Sequence, residues 1–189
     1  MGLLTKLFGK KKLKSAKIVV LGSSGAGKTT FIKYLESGEA VEEDTLTTLG
    51  IDVRKKSVNF DGWSLSAIDV GGQELYQKVF WNLGLSQADA VVYIIDGTLR
   101  PSSTDDKFES SLFSFEYMLE LLPPLKPIII FINKQDLTSL NPLKIDEAIE
   151  LYPLTRMNNR SVNVLQTSAK FGEGIDIALN WLVTKLEEN

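Results

Sequence analysis

The sequence predicts one α/β domain in which helices cover both faces of a mostly parallel β-sheet. Two observations lead to this prediction. Short apolar runs rich in β-branched residues recur along the chain, and stretches with helical spacing of apolar residues lie between them. A parallel strand reaches its neighbour through a long crossover, usually a helix, so this alternation is typical of a parallel sheet.

Six apolar runs are predicted to be strands, and three stretches with helical spacing are predicted to be helices. Asp61-Gly62, between the second and third strands, suits the positive φ angles of a two-residue hairpin turn. We therefore expect a six-stranded sheet with one antiparallel edge strand. The predicted strands are residues 17–22, 51–60, 63–69, 90–96, 127–133 and 161–167, and the predicted helices are 29–35, 108–122 and 174–186.

The composition excludes several classes of protein. The chain of 189 residues is 43% hydrophobic, which suits one globular domain, and it has no run of about 18 apolar residues that would span a membrane. It has no cysteine, which excludes disulfides and thiolate zinc sites, and no histidine, the commonest general base. Any catalysis must therefore use carboxylates, amides, hydroxyls, lysines or a bound metal ion.

Charge is distributed unevenly along the chain. Residues 1–17 contain six lysines and no acidic residue, whereas residues 18–189 contain 15 basic and 24 acidic residues, a net charge of −9. This indicates that one end meets an anionic surface, and it argues against nucleic acid held by the whole domain. We divide the chain into a basic amphipathic N-terminal arm, residues 1–16, and a domain, residues 17–189.

The first predicted strand leads into Gly22-Ser-Ser-Gly-Ala-Gly-Lys28-Thr29, which satisfies the phosphate-loop pattern G-x-x-x-x-G-K-[ST]. Its glycines let successive backbone N–H groups point at phosphate oxygens, and the N-terminus of the following helix adds a partial positive charge. Lys28 can reach the β- and γ-phosphates, and the Thr29 hydroxyl can bind Mg²⁺. The alternative is a glycine-rich turn that binds nothing, which the strand–helix context disfavours.

A second motif, Asn133-Lys134-Gln135-Asp136, ends the fifth predicted strand. Guanine presents an N1–H and a 2-amino group side by side, so the Asp136 carboxylate can accept from both, whereas adenine lacks this pair of donors. The Lys134 stem can lie along the purine face, and Asn133 can brace neighbouring loops. Four such residues alone also suit an ordinary polar loop, but their position behind a phosphate loop indicates guanine.

Five motifs in this order resemble those of the small GTPases of the Ras superfamily, and they are most similar to the Arf/Arl (ADP-ribosylation-factor-like) branch. The resemblance spans nearly the whole domain and implies a P-loop NTPase fold, a three-layer α/β sandwich. The five motifs are Gly22–Thr29, Thr48, Asp69–Gln73, Asn133–Asp136 and Ser168–Lys170.

The resemblance implies a site for GTP or GDP with Mg²⁺. Thr29 and Thr48 would bind the metal through their hydroxyls, and Asp69 would hold a water on it. Gln73 would be the catalytic residue that aligns the attacking water, and the Gly72 amide would contact the γ-phosphate. The implied nucleotide-binding residues are Ser24, Gly25, Ala26, Gly27, Lys28, Thr29, Thr30, Thr48, Gly72, Asn133, Lys134, Asp136, Ser168, Ala169 and Lys170.

The same resemblance implies a switch that hydrolyses GTP slowly and works with partner proteins. Thr45, Leu46 and Thr47 precede Thr48 and include no arginine, so the sequence offers no arginine in cis to stabilise the transition state. We expect an exchange factor, a GTPase-activating protein and effectors as partners, and no nucleic acid.

The N-terminal arm places four apolar residues on one face of a short predicted helix, and lysines follow it. This pattern is typical of an interfacial anchor, in which each lysine contributes about 1 kcal/mol against anionic lipid. We expect a cytoplasmic protein that associates peripherally with an anionic membrane in the GTP state, and the alternative is a solvated basic tail. Acylation of the N-terminal glycine stays open, because Lys6 replaces the favoured serine or threonine. The predicted membrane-contacting residues are Gly2, Leu3, Leu4, Leu7 and Phe8.

The chain departs from typical Arf proteins in its hairpin, residues 51–69, which is slightly longer than usual. Ile51, Ile68 and Leu83 stand where that family presents an aromatic-rich effector surface, so this surface is expected to be apolar but differently shaped. In the family, a register shift of this hairpin expels the N-terminal helix when GTP binds. The extra length leaves that mechanism open here.

Two other functions compete with the hydrolysing switch. One is a GTP-binding interaction module that stays loaded and works in solution without a membrane role. Thr48, Gly72 and Gln73 favour the switch, because a module that does not cycle needs none of them. The other is a P-loop kinase or ATPase, which the guanine motif opposes.

Overall fold

The computed structural model of this protein describes residues 13–41, 51–71, 73–74 and 77–188, and of residues 51–56 it describes the backbone alone. Within these residues, six strands form one sheet and five α-helices flank it. A π-helical turn, Gln77–Trp81, leads directly into the second helix. The strands are β1 (Lys14–Leu21), β2 (Ile51–Phe60), β3 (Trp63–Val70), β4 (Ala90–Asp96), β5 (Ile128–Asn133) and β6 (Val162–Gln166), and the helices are α1 (Lys28–Ser37), α2 (Asn82–Gln87), α3 (Lys107–Leu121), α4 (Ile145–Leu151) and α5 (Ile175–Glu188).

The sheet has the strand order β2-β3-β1-β4-β5-β6. β1 pairs in parallel with both β3 and β4, and parallel pairing continues through β5 to β6. β2 is antiparallel to β3 and forms one edge. The predicted fold class, a mostly parallel six-stranded sheet with one antiparallel edge strand, is confirmed.

The β2–β3 hairpin turns at the predicted dipeptide. Asp61 and Gly62 have φ angles of 41° and 79°, in the left-handed region that glycine adopts freely and aspartate tolerates. β1 begins beside this turn at Lys14, whose N–H donates to the Gly62 carbonyl over 3.1 Å. Residues 14–16, which the predicted arm included, are therefore part of the sheet.

The register of the hairpin changes part-way along β2. Val53 pairs with Ile68, whereas Ser57 pairs with Ser66, so residues 54–56 lie opposite a single residue of β3. β2 thus contains a bulge that absorbs the extra length expected from the sequence. Such bulges bend the strand locally and increase its twist.

Two apolar cores lie on opposite faces of the sheet, because successive residues of a strand point to opposite sides. In β1, Val19 belongs to one core and Ile18 to the other. The first core is covered by the π-helical turn, α2, α3 and α4. At its centre Tyr93 makes edge-to-face contacts with Trp81 and Phe115, with ring centroids 6.1 and 5.1 Å apart.

Ile68 belongs to the first core and is 6% exposed, so the expectation that it contributes to an exposed effector surface is wrong. The reason is that β3 is an internal strand whose face here is covered by Trp81 and Leu85. Leu83 is 49% exposed, as that surface requires. The side chain of Ile51 lies outside the part of the chain that the structure describes.

Three of the helical segments were not predicted from the sequence as separate elements: the π-helical turn, α2 and α4. The π-helical turn departs from the 3.6-residue spacing on which the prediction relied. α2 contains Gly84, a poor helix former, which lies close to the sheet because a Cβ there would be 2.9 Å from Val19 Cγ2. No helix in the described ranges is both long and apolar enough to cross a membrane.

The second core is covered by α1 and α5. Phe31 of α1 meets Phe131 of β5 edge-to-face, with centroids 5.3 Å apart, and neither side chain is exposed. Leu179 and Leu182 of α5 complete this layer. The three-layer arrangement holds the loops at the ends of the parallel strands, where the site is found.

Replacing Phe131 with alanine should lower the free energy of unfolding by roughly 3–5 kcal/mol, because it removes a fully buried ring and leaves a cavity. Chemical denaturation of the nucleotide-loaded protein measures this change. The matched control is Leu125→Ala, since Leu125 is 84% exposed, and this change should stay within about 0.5 kcal/mol. Equal losses in the two variants would contradict the packing described.

Candidate guanine-nucleotide site

The predicted nucleotide-site residues that the structure describes lie at or next to the carboxyl ends of the parallel strands, which share one edge of the sheet. We call this edge the carboxyl edge. The chain passes from β1 to β3 on one side and to β4 on the other, so the strand order reverses at β1. In open α/β sheets, a reversal of this kind opens a crevice at the carboxyl ends, where ligands bind.

The phosphate loop connects β1 to α1, and its path requires glycine. Gly25 and Gly27 have φ angles of 75° and 105°, which other residues rarely adopt. A Cβ at Gly27 would also lie 2.3 Å from Asn133 Nδ2. Among the other predicted residues here, Ser24 is exposed, Ala26 is buried and Thr30 is half-buried.

Lys28 is buried against the phosphate loop itself. Its ammonium donates to the carbonyl oxygens of Gly22 and Ser23 over 2.9 and 2.8 Å. Burial lowers the pKa of Lys28 from its usual 10.5 to about 8, and the nearby Asp69 carboxylate partly opposes this shift. The cation is therefore held at the base of the loop, where it can meet phosphate oxygens.

The predicted metal residues Thr29 and Asp69 are in direct contact. The Thr29 hydroxyl donates to Asp69 Oδ2 over 2.8 Å, and the Asp69 side chain is fully buried at the end of β3. Within the described residues, no cluster of three or more histidine, cysteine or acidic side chains could bind a metal alone. A hydroxyl and a carboxylate suit Mg²⁺, which takes oxygen ligands, keeps several waters and shares substrate phosphates.

Asn133 joins the phosphate loop to the loop after β6. Its Nδ2 donates to the Ala26 carbonyl over 2.8 Å, and its Oδ1 accepts from the Ala169 N–H over 2.8 Å. The side chain is 2% exposed, so these bonds are shielded from water. The contacts correspond to the bracing role expected of this residue.

The other guanine-motif residues lie beside Asn133. Lys134 has a φ of 66°, and its ammonium pairs with Asp96 Oδ2 over 2.6 Å. Asp136 Oδ1 accepts from the buried Ser168 hydroxyl over 2.7 Å, which orients this half-buried carboxylate. Lys170 is exposed at the end of the same loop. The structure therefore brings together the predicted residues of both loops.

Gln135 connects three segments around this motif, a role that was not predicted. Its Nε2 donates to the Leu143 carbonyl over 2.9 Å. Its Oε1 accepts from Gln166 Nε2 over 2.8 Å and from Lys144 Nζ over 3.2 Å. Asp96 was not predicted to belong to the site either. Its position at the end of an apolar strand, on the carboxyl edge, could have indicated it.

The predicted catalytic residue Gln73 is exposed and lies just before the π-helical turn. Its carbonyl accepts from the Gln77 N–H over 3.0 Å. Upstream, the Gly71 carbonyl accepts from the Trp81 indole over 3.3 Å. The π-helical turn is thus bonded to residues on both sides of position 72.

Some predicted residues lie outside the part of the chain that the structure describes. They comprise one metal ligand, one γ-phosphate contact and the membrane-contacting set, which are Thr48, Gly72, Gly2, Leu3, Leu4, Leu7 and Phe8. Their roles stay predictions.

Comparison with known proteins identifies the family. The family model described as "ADP-ribosylation factor family" matches residues 1–186 of this chain. The chain belongs to the ADP-ribosylation factor (Arf) family. ADP-ribosylation factor-like protein 3 of Chlamydomonas reinhardtii is 34% identical over 192 residues, which cover 99% of this chain and 100% of that protein. ADP-ribosylation factor-like protein 1 of Drosophila melanogaster is 32% identical, over 90% of this chain and 89% of the relative.

A solved structure is also similar to this Arf-family protein. It is the Arl6 BBS3 small GTPase from Trypanosoma brucei with the bound nucleotide analogue GppNp, with a TM-score of 0.73 and 20% identity. The likeness covers 93% of this chain and 99% of that one, and at this identity it shows the fold alone. Family membership confirms the resemblance drawn from the sequence: Arf-family proteins are small GTPases that bind guanine nucleotide.

The buried ammonium of Lys28 predicts a pH dependence for nucleotide binding. Phosphates should raise its pKa above the value of about 8 in the protein alone, so binding takes up a proton once that value is passed. The affinity for GDP should be insensitive to Lys28 titration below about pH 8 and should fall above it, by at most tenfold per pH unit. Calorimetric titrations from pH 7 to about 9.5 measure this.

Guanosine is the matched control ligand, because it shares the base of GDP but offers no phosphate to Lys28. Any titration of the base affects both ligands equally. A parallel decline for GDP and guanosine would show that Lys28 does not contact the phosphates.

Proposed function

We propose that this Arf-family protein is a molecular switch that binds Mg²⁺·GTP at the carboxyl edge, hydrolyses it slowly to GDP and changes shape as it does so. The observation that carries the proposal is the pair of Asn133 bonds, which join the phosphate-loop motif to the loop after β6 and start from within the guanine motif itself. A site that recognises both ends of one ligand is selective for that ligand as a whole. Guanosine di- and triphosphate fit both halves.

The phosphate half uses the backbone of the loop from Ser24 to Gly27 and the ammonium of Lys28. The glycine φ angles let the loop N–H groups point at phosphate oxygens, and the start of α1 adds its partial charge. Mg²⁺ would be held by the hydroxyls of Thr29 and Thr48 and, through a water, by Asp69. Bound there, the ion neutralises charge on the phosphates.

The guanine half uses Asp136 as the acceptor for the N1–H and 2-amino groups. The Ser168 hydroxyl holds one of its oxygens, which fixes the plane of the carboxylate. The Lys134 stem would lie along the purine, and the backbone N–H group of Lys170 lies in the adjoining loop, where it would meet the guanine O6. A nucleotide without the two donors would leave the carboxylate unpaired, which disfavours adenine.

Hydrolysis is assigned to Gln73, which aligns the attacking water. Its exposed position gives access to solvent and to a partner protein. The chain supplies no arginine immediately before Thr48, so the intrinsic rate should be low and an activating protein should supply the missing charge. An exchange factor and effectors complete the cycle.

Replacing Gln73 with leucine should leave GTP binding intact and reduce hydrolysis well over tenfold, because the water loses its orienting group. Single-turnover hydrolysis of preloaded GTP measures the rate, and a filter-binding assay measures occupancy. Gln87→Leu is the matched control, since Gln87 is an exposed glutamine of α2, and it should behave as wild type. Unchanged turnover in the Gln73 variant would remove the catalytic assignment.

The N-terminal arm is proposed to bind an anionic membrane when GTP is loaded. It joins the domain at Lys14. The Lys14 N–H donates to the Gly62 carbonyl in the hairpin turn, and its ammonium forms an ion pair with Glu187 of α5, with Nζ 3.0 Å from Oε1. This is the amino edge of the parallel strands, opposite the nucleotide. The β2–β3 hairpin runs from one edge to the other, and its irregular register makes it suited to link the nucleotide with the arm.

Liposome co-sedimentation tests this proposal with vesicles of neutral and anionic lipid. Wild-type protein loaded with a non-hydrolysable GTP analogue should sediment with anionic vesicles, whereas protein loaded with GDP should stay in solution. A deletion of residues 1–12 leaves β1 whole and should abolish binding. Sedimentation in both nucleotide states would make the arm a constitutive tether, and absence of binding in both would favour a function in solution.

A further inference from the structure

We propose that Asp96 is a positioning residue for the guanine base, which it serves by holding the ammonium of Lys134. This inference rests on the proposed function, because it assumes that the Lys134 stem lies along the purine. It adds a residue from β4, which contributes nothing to the five sequence motifs.

The contact is short, and the Asp96 carboxylate is largely buried. Lys134 Nζ lies 2.6 Å from Asp96 Oδ2, and the side chains of Lys134 and Asp96 are 29% and 10% exposed. The other carboxylate oxygen accepts from the Thr98 N–H over 3.0 Å and from its hydroxyl over 2.6 Å. Each oxygen of Asp96 therefore has its own donors, and the carboxylate cannot rotate without losing them.

The backbone places Asp96 beside the guanine motif. Asp96 ends β4 opposite Asn133, which ends β5. The next residue, Gly97, donates its N–H to the Asn133 carbonyl over 3.0 Å, and a Cβ at Gly97 would lie 2.4 Å from that oxygen. A glycine is required for this close approach, and it fixes the carboxylate of Asp96 relative to Lys134.

A lysine side chain needs such an anchor to act as a platform for a base. Four rotatable bonds give it considerable conformational entropy, which is lost when the stem is ordered against a ligand. An ion pair at its end orders the stem before the nucleotide arrives, so less entropy is lost on binding. The backbone of Lys134 is left-handed, with a φ of 66°, a conformation that is unfavourable for residues other than glycine. The ion pair with Asp96 helps to keep Lys134 in this conformation.

The alternative is that Asp96 stabilises the loop after β4 through its bonds to Thr98, without acting through the Lys134 ammonium. A double-mutant cycle separates the two roles. Asp96→Asn removes the charge but keeps the size and an acceptor for Thr98. Lys134→Met removes the ammonium but keeps an unbranched stem. The matched control is Asp89→Asn, since Asp89 is an exposed carboxylate that accepts from the Lys17 N–H at the opposite edge.

The experiment measures release of a fluorescent GDP analogue from the full-length protein in excess Mg²⁺. Asp96→Asn should speed release roughly tenfold, and Asp89→Asn should release at the wild-type rate. In the Lys134→Met background, Asp96→Asn should change the rate less than about twofold, because its effect passes through the ammonium. Thr98→Val, which keeps the ion pair but removes one donor to Asp96, should speed release a few-fold.

Two results would overturn the inference while leaving the proposed function intact. One is release from Asp96→Asn at the wild-type rate. The other is an equal acceleration with and without the Lys134 ammonium, which would show that Asp96 acts by stabilising the loop. Failure of the proposed function would look different, because wild-type protein would then retain no GDP, and the inference would fall with it.

Discussion

The site depends on one buried side chain, the carboxamide of Asn133, which bonds to the phosphate loop on one side and to the loop after β6 on the other. Both loops are irregular backbone, and the carboxamide connects them directly. Because the amide is buried, breaking either bond would leave a polar group without a partner, which costs about 1–3 kcal/mol. The separation between the phosphate half and the base half is therefore set by a single rigid group.

The parallel sheet explains why these loops meet. Five strand ends share one edge, and the reversal of strand order at β1 opens a crevice there. The same geometry separates the proposed nucleotide site from the N-terminal arm, because the arm joins the domain at the opposite edge, beside Gly62 and Glu187. The β2–β3 hairpin, with its bulge at residues 54–56, runs between the two edges.

The local parts of this structure could be predicted from the sequence, whereas contacts across the fold could be predicted only where a motif implies them, as for Asn133. The dipeptide Asp61-Gly62 and the pattern Gly22–Thr29 carry their backbone requirements in adjacent residues, so their positions were correct. The Asp96–Lys134 contact joins residues 38 positions apart, and no spacing rule reveals it. Ile68 was misassigned because an apolar residue in a strand gives no sign of which face is covered.

The central claim is that the carboxyl edge recognises phosphate and guanine as one ligand. Calorimetric titration of the protein with GDP and with ADP, in Mg²⁺ at pH 7, tests it most directly. The account predicts one GDP per chain, with ADP bound at least about 1,000-fold more weakly, because adenine offers no donor pair to Asp136. Comparable affinities for the two nucleotides would mean that the site reads phosphate alone, and the account would be wrong.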